Sequence, residues 1–262
     1  MSAAVQAERL VLTALPDMPL VRAGDDLPAL ILAGVGRAGL RLEDGDVIAV
    51  ASKIVAKAEG RTVELKGVAP SDRALRIATE TGKDARIVEL ILRESREILR
   101  IREDLIIVEH RLGFVCANAG VDHSNVHEGQ GLDGEWVLML PEDPCRSARS
   151  LRERLQAESG ASLGVLVVDS HGRAWRMGTV GMAIGLAGLP ALLDLRGRPD
   201  LFGDKLQVTQ VGLADELAAA ASILMGQAAE GRPVIHVRGL PYPLREGSME
   251  EVLRPMELDL FR

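Results

Sequence analysis

Val165-Leu-Val-Val-Asp-Ser-His-Gly-Arg-Ala-Trp-Arg176 is the stretch on which the reading of this chain turns. Four apolar residues run into Asp169 and Ser170, and a glycine-containing loop then carries Arg173, Trp175 and Arg176. Physically this is a buried strand that delivers a carboxylate and a hydroxyl to its C-terminal edge. Irregular backbone at such an edge faces solvent, and ligand sites in α/β sheets collect there. Asp169 and Ser170 are hard oxygen donors suited to Mg2+ or Mn2+, and the two arginines suit anionic oxygens. A plainer alternative stands beside this one: Asp169 caps a turn and the arginines are solvated.

Outward from that strand, periodicity and punctuation place the other elements. Arg9 to Ala14 reads as a strand, closed by Leu15-Pro-Asp-Met-Pro-Leu20, whose two prolines exclude a regular helix. Leu27 to Ala38 has helical apolar spacing, with Gly39 as the stop. Val47 to Ala51 is a short buried strand ending in Ser52-Lys53, with Lys57 four residues on. A hydroxyl and two cations there can hold phosphate, or simply flank a turn. Ser71 caps a helix that Gly82 ends, and Asp84 caps a second one given an apolar face by Ile87, Ile91, Ile98 and Leu99. Strands follow at 105–108 and 135–140. Asp143-Pro144 starts a helix to about Glu158, Leu206 to Val211 alternates as a strand, Ala214 to Met225 is an alanine-rich helix, and Pro233 to Val237 is a last strand.

Between the strands at 105–108 and 135–140, Gly113-Phe-Val-Cys-Ala-Asn-Ala-Gly-Val-Asp-His-Ser-Asn-Val126 crowds small residues with Asn118, Asp122 and Asn125. Small residues let a backbone approach a ligand closely, and Asp and Asn supply oxygens. An Asx-rich loop satisfying its own backbone is the competing reading. His123 and His127 have the spacing of a zinc-binding helix, but neighbouring glycines and the missing third ligand make a solvated pair. Gly129-Gln-Gly131-Leu-Asp-Gly134 matches a dinucleotide pattern in letters, but the residues after it read as a strand rather than the required helix. The glycines at 178, 181, 185 and 188 permit close packing of elements or a backbone that wraps a ligand.

Composition narrows the function classes. A chain of 262 residues with 47% hydrophobic and 26% charged residues has ample core for one large domain or two modest ones. Aromatics make up only 2%, which argues against a stacking platform for single-stranded nucleic acid, and a net charge of −7 argues against a duplex-binding surface. A local metal and arginines can still reverse the field for a small anionic substrate. Two cysteines, Cys116 and Cys145, are too few for a disulfide framework, so a cytoplasmic location is expected. No run reaches transmembrane length, and no Gly-x-x-x-x-Gly-Lys-Ser/Thr loop exists.

Taken together, Ala51-Ser-Lys-Ile-Val-Ala-Lys-Ala-Glu-Gly60, residues 113–125 as quoted, Leu140-Pro-Glu-Asp-Pro144 and Asp169-Ser-His-Gly-Arg-Ala-Trp-Arg176 resemble the coenzyme F-420:γ-glutamyl ligase family. So do Ala183-Ile-Gly185, Asp194-Leu-Arg-Gly-Arg198 and Met225-Gly-Gln227, and the blocks run in order from about Leu15 to Arg238. The resemblance implies a mixed α/β (α+β) fold of the family's own kind over residues 1–262, with mixed sheets and flanking helices. It implies two intimately packed subdomains and an intertwined homodimer. The implied activity is a GTP-dependent ligase that joins L-glutamate to a deazaflavin precursor and extends a γ-linked tail, releasing GDP and phosphate through an acyl phosphate. Carried over by position, Asp122 and Asp169 hold one divalent ion, Mg2+ or Mn2+. Ser170, where the family commonly has Thr, and Gln227 contribute to a second, and K+ is a further candidate ion. Leu15, Pro16, Ser52, Lys53, Lys57, Asn125, Gly226 and Gln227 contact GTP, and Asp122, Asp169 and Lys53 carry the catalysis. From chemistry alone, Arg173 and Arg176 suit a phosphodiester or glutamate carboxylate, and Trp175 suits either stacking on a planar deazaflavin or packing. The expected partners are the deazaflavin precursor, L-glutamate and GTP, with no nucleic acid and no membrane. Some family members carry a C-terminal nitroreductase-like domain; the chain stops at Arg262, so that second activity is not expected from it. Two other classes stay open: an amide ligase on another carboxylate, such as a folate-like acceptor, and a non-catalytic deazaflavin-binding module.

Overall fold

The computed structural model describes residues 8–123 and 135–260. The elements in order are β1 (Val11–Ala14), α1 (Leu27–Arg37), β2 (Val47–Ala51), α2 (Ser52–Ala58), β3 (Thr62–Glu64), α3 (Asp72–Thr81), α4 (Ala85–Arg93), β4 (Ser95–Arg102), β5 (Leu105–His110), β6 (Val115–Ala117), β7 (Trp136–Leu138), α5 (Pro144–Ser159), β8 (Gly164–Arg173), β9 (Arg176–Ala187), β10 (Leu193–Asp194), β11 (Gln210–Val211), α6 (Leu213–Met225) and β12 (Val234–Arg238). The architecture is mixed α/β, as expected.

A five-stranded sheet in the order β1-β12-β2-β8-β9 forms the frame. β2 and β8 pair in parallel, while β12 runs antiparallel to both β1 and β2. The C-terminal ends of β1, β2 and β8 therefore lie on one edge of the sheet, beside the N-terminal end of β12. β2 and β8 are apolar on both faces because both are covered. On one face, Val165 and Val167 join a core that includes Ile31 of α1, Leu155 of α5 and Ile106 and Val108 of β5. On the other, Leu166 and Val168 pack with Ala214, Leu217, Ala218 and Ala221 of α6. A separate antiparallel sheet, β4-β5-β6, belongs to the first core.

The helix signals act as their chemistry requires. Ser71 Oγ accepts from the Ala74 amide, Asp84 from Arg86 and Asp143 from Arg146, while Gly82 and Gly160 end their helices in the left-handed region. The glycines of β9 serve packing: a Cβ on Gly181 would lie 2.5 Å from the Ala218 carbonyl oxygen, and one on Gly185 would overlap Pro144.

Several expected elements differ. The helix capped by Asp84 ends at Arg93, and Ile98 and Leu99 lie in β4. β4 gains an antiparallel partner in β5 through a tight turn at Glu103-Asp104, with irregularities at Arg96 and Leu99, and that pairing overrides local helical spacing. Only Gln210–Val211 of the 206–211 stretch is a strand, because alternation there has no face to bury: Val208 is exposed. Ser52 to Ala58, for which the sequence offers a phosphate-holding segment or a turn flanked by lysines, is the helix α2. β8 continues through Asp169 and Ser170 to Arg173, so the strand runs three residues further than the edge at which the sequence reading ends it. Asn125, His127 and residues 129–134 lie outside the described residues. Among the described residues, no helix is long and apolar enough to cross a membrane.

Candidate functional site

The edge where β1, β2 and β8 all end gathers most of the residues singled out from sequence. Ser52 and Lys53, adjacent at the β2–α2 junction, each hold one carboxylate. Ser52 Oγ donates to Asp169 Oδ1 at 2.6 Å, and Lys53 Nζ lies 2.7 Å from Asp122 Oδ2. These four residues, with Gly120 and residues 138–140, line a cleft of about 20 Å3. That is room for one ion or water molecule, not for a nucleotide.

Each side chain is placed by a distinct local device. Next to Asp169 the β8–β9 pairing carries a bulge: Val167 pairs with Gly185 and Val168 with Ala183, so the extra residue, Ile184, lies in β9 and raises the local twist of the hairpin. Asp122 follows three consecutive residues with positive φ, Asn118 (51°), Ala119 (50°) and Gly120 (67°). A non-glycine residue in that region costs about 1 kcal/mol or more, and such strain gathers at functional sites. Here it is secured by the Asn118 side chain accepting from the Ile106 amide and by full burial of Ala119. Asp122 itself is fixed by a two-way backbone bridge to Leu138, at 3.0 and 2.8 Å.

Strand alternation puts Asp169 and Ser170 on opposite faces of β8. Ser170 points to the α6 side, where its Oγ donates to Gln227 Oε1 at 2.8 Å just beyond the end of α6. Two oxygen-donor sets thus flank one strand: Asp122, Asp169 and Ser52 on one face, Ser170 and Gln227 on the other. Among the described residues no group of three or more His, Cys, Asp or Glu side chains could hold a metal. The donors are all hard oxygens, which fits Mg2+ or Mn2+ completed by water and phosphate oxygens and does not fit a closed zinc site.

The remaining candidates are less converged. Leu15 is fully buried in the core, and its amide donates to Val234 O. Pro16 O accepts from Arg37 Nε, which fixes the loop after β1 on the same edge. Lys57 lies one turn beyond Lys53 on α2. Gly226, at φ 74°, ends α6 beside Gln227. Arg173, Trp175 and Arg176 are exposed at the tip of the β8–β9 hairpin, with Arg173 Nη1 donating to Gly178 O and Trp175 87% exposed. None of the three lines the cleft.

Sequence reading passed over His171, whose Nε2 is 2.9 Å from Asp169 Oδ2. Its signal was present, since residues i and i+2 of a strand share a face. Gly120 and residues 138–140 were also missed, because only the fold brings them to Asp169. Cys116, buried on β6, belongs to the same neighbourhood: burial first, and then the Asp169 charge, push its thiol up to about 12. A larger cavity of about 330 Å3, lined in part by Pro190, Tyr242 and Arg245, lies beyond the end of β9 that pairs with the start of β8. It is therefore at the opposite edge of the sheet, and its Arg245 is committed to Glu251 at 2.8 Å.

A family model described as F420-0:Gamma-glutamyl ligase matches residues 17–239. The Coenzyme F420:L-glutamate ligase of Methanothermobacter thermautotrophicus is 49% identical over 247 residues, covering 94% of this chain and 96% of the relative. Its namesake from Methanopyrus kandleri is 48% identical over 92% of this chain and 93% of its own length, and that of Archaeoglobus fulgidus 44% identical over 94% and 93%. A match across nearly the whole chain, at nearly half of its positions, makes this protein a member of the F420-0:γ-glutamyl ligase family.

Proposed function

We propose that this protein joins L-glutamate to the carboxyl group of the deazaflavin F-420 precursor at the expense of GTP, and then extends a γ-linked glutamate tail. The observation that carries this reading is the pair Ser52–Asp169 and Lys53–Asp122, closed around an ion-sized cleft at the edge where three parallel strands end. In this reading the chain needs a place to hold a triphosphate beside a carboxylate, and this edge supplies hard oxygens and lysines together.

An amine does not condense with a free carboxylate in water without activation. In the proposed route a carboxylate oxygen of the acceptor attacks the γ-phosphorus of GTP, the bond to the β-phosphate bridging oxygen breaks, and GDP leaves. The glutamate amine then attacks the acyl carbon, phosphate departs with the C–O electrons, and the amine loses a proton to solvent. Asp122, Asp169 and Ser52 would hold one divalent ion and Ser170 with Gln227 would contribute to another; such ions neutralise charge on the transferring phosphoryl group. The ammonium groups of Lys53 and Lys57 stabilise the phosphate oxygens electrostatically. The acidic chain is thereby made locally attractive to a polyanion. Arg173 and Arg176 reach acceptor or glutamate carboxylates from the hairpin tip.

A homodimer is part of the same reading. Trp175, Met177, Leu201 and Phe202 are each 87% or more exposed, an apolar display that a second copy would cover. The two unpaired cysteines suit a reducing cytoplasm.

The test is mass spectrometry of the product formed from the deazaflavin precursor, glutamate, GTP and Mn2+. The expected result is a product heavier by one or more glutamyl residues, with one GDP released for each. Asp169→Asn should lower turnover by on the order of 10³ with the fold intact. Near-normal turnover in that variant removes Asp169 from the site, and GTP hydrolysis without glutamate incorporation sinks the ligase reading.

A further inference from the structure

The carboxylate of Asp169 is held at both oxygens by different residues. Ser52 Oγ donates to Oδ1, and His171 Nε2 stands 2.9 Å from Oδ2. The imidazole is 4% exposed, and its plane is set from behind: Phe114 packs on it with centroids 5.1 Å apart, tilted by 46°. Phe114 in turn stacks on the buried His110 ring at 5.0 Å and 8°, and His110 approaches Glu94 at 3.5 Å. A packed column thus leads from a charged cluster in the β4-β5-β6 sheet to the rear of Asp169.

For stability alone, this is a poor use of a buried polar ring. The separation from Oδ2 is within reach, but neither ring nitrogen has a well-directed hydrogen bond. A buried polar group without an aligned partner is a net cost, which an apolar residue of similar size would remove. The ring's position makes sense if its task is to restrict the carboxylate rather than to strengthen the core. Each carboxylate oxygen has two acceptor sites, so with Ser52 bonded to one oxygen and the imidazole packed against the other, both keep acceptor capacity for a cation.

We propose that His171 is a positioning residue that locks the rotation of the Asp169 carboxylate, so that its free lone pairs meet a divalent cation in the cleft shared with Asp122 and Ser52. This rests on the metal reading of that cleft given above. Partners behind a metal ligand orient it, and their loss typically lowers metal affinity 10- to 100-fold, or about that range. Here the effect falls on cation binding and not on folding, because the ring adds little to the core.

The experiment titrates Mn2+ alone into the full-length protein, following free Mn2+ by electron paramagnetic resonance, alongside thermal unfolding of the metal-free protein. His171→Leu should weaken the tighter Mn2+ site by roughly 10-fold or more while leaving the metal-free melting temperature unchanged or raised. His171→Gln, whose terminal amide nitrogen can stand near the Nε2 position, should recover most of the affinity. Asp169→Asn is the control. If Asp169→Asn abolishes the tight site but His171→Leu binds Mn2+ within twofold of the unaltered protein, the positioning role is wrong and the metal reading stands. If affinity and melting temperature fall together in His171→Leu and Gln restores neither, the residue is structural. If Asp169→Asn leaves Mn2+ binding intact, both readings fail.

Discussion

Strand β2 has a carboxylate–histidine contact at each end, and the two are built differently. At its start, Asp46 is buried and receives His236 Nε2 at 2.8 Å and Arg238 through Nε and Nη2 at 2.9 and 2.8 Å. Burial alone would push its carboxyl up, but the hydrogen bonds from Arg238 and His236 outweigh that and hold it below the usual range. At its far end, Asp169 has a hydroxyl and a less well-directed imidazole, and Asp122 has one lysine. The first cluster carries its own countercharge in a fork that fits a carboxylate. The second sets two carboxylates, with Ser52 on Asp169 and Lys53 on Asp122, around a small cleft. A carboxylate that closes a fold is surrounded by its own countercharge; one held for a cation, as proposed for Asp169, keeps acceptor capacity facing the cleft.

The sharpest way to break this comparison is to neutralise each aspartate in turn. Asp46→Asn leaves the Arg238 guanidinium facing an amide, with Arg238 still reaching solvent. It should cost about 3 kcal/mol, below the top of the range for buried pairs, and lower the melting temperature by roughly 6–12 °C. Mn2+ affinity should stay as it was. Asp169→Asn should do the reverse, with a melting temperature within a few degrees of the unaltered protein. Calorimetry and Mn2+ titration on both variants decide it, and equal losses of stability would erase the distinction between the two ends.

A third carboxylate, Glu94, sharpens the same point through pH. Burial raises it, but His110, Arg111 at 2.7 Å and Arg61 at 3.1 Å more than compensate and bring it to about 2. Its folded value lies below its unfolded one, so its stabilisation is fully present above about pH 4.5 and is lost as pH falls toward 2. Glu94→Gln should therefore cost on the order of 3 kcal/mol at pH 7 and flatten the decline of melting temperature between pH 4.5 and 2.5. An unchanged acid limb in that variant would mean the charge pairs contribute little.

How much of this was legible beforehand follows from the range of the interactions concerned. Caps and stops at Ser71, Gly82, Asp84, Asp143 and Gly160 are contacts within four residues, and the chain announces them. Ile98 and Leu99 read as part of the preceding helix because the pairing of β4 with β5 is a property not of those two residues but of the strand that lies alongside them. The same limit applies to the site. Asp122, Asp169, Ser52 and Lys53 were visible as residue types at strand ends, yet their meeting depends on β2 and β8 being parallel neighbours. His171 needs only the alternation of one strand, and a strand that is read as ending at Asp169-Ser170 leaves it in the loop. The exposed hairpin tip at Trp175 shows the converse: arginines and an aromatic in one motif need not share a pocket, and none of them lines the cleft.

The smallest expected effect concerns Cys116, which tests how firmly the β4-β5-β6 sheet is seated behind Asp169. With its thiol pushed up to about 12 by burial and the Asp169 charge, Cys116 has almost no thiolate at pH 8, and burial also blocks reagent access. A disulfide reagent added to the native protein at pH 8 should therefore titrate at most the partly exposed Cys145, and both thiols only after unfolding. Asp169→Asn separates the two causes. It removes the charge but not the burial, and burial is the larger, so Cys116 should remain protected. Fast modification of Cys116 in that variant would mean that the carboxylate holds β6 in place and so has a structural duty comparable to that of Asp46. Continued protection would leave Asp169 as a carboxylate whose removal the fold scarcely registers, the behaviour expected of a group held for a ligand.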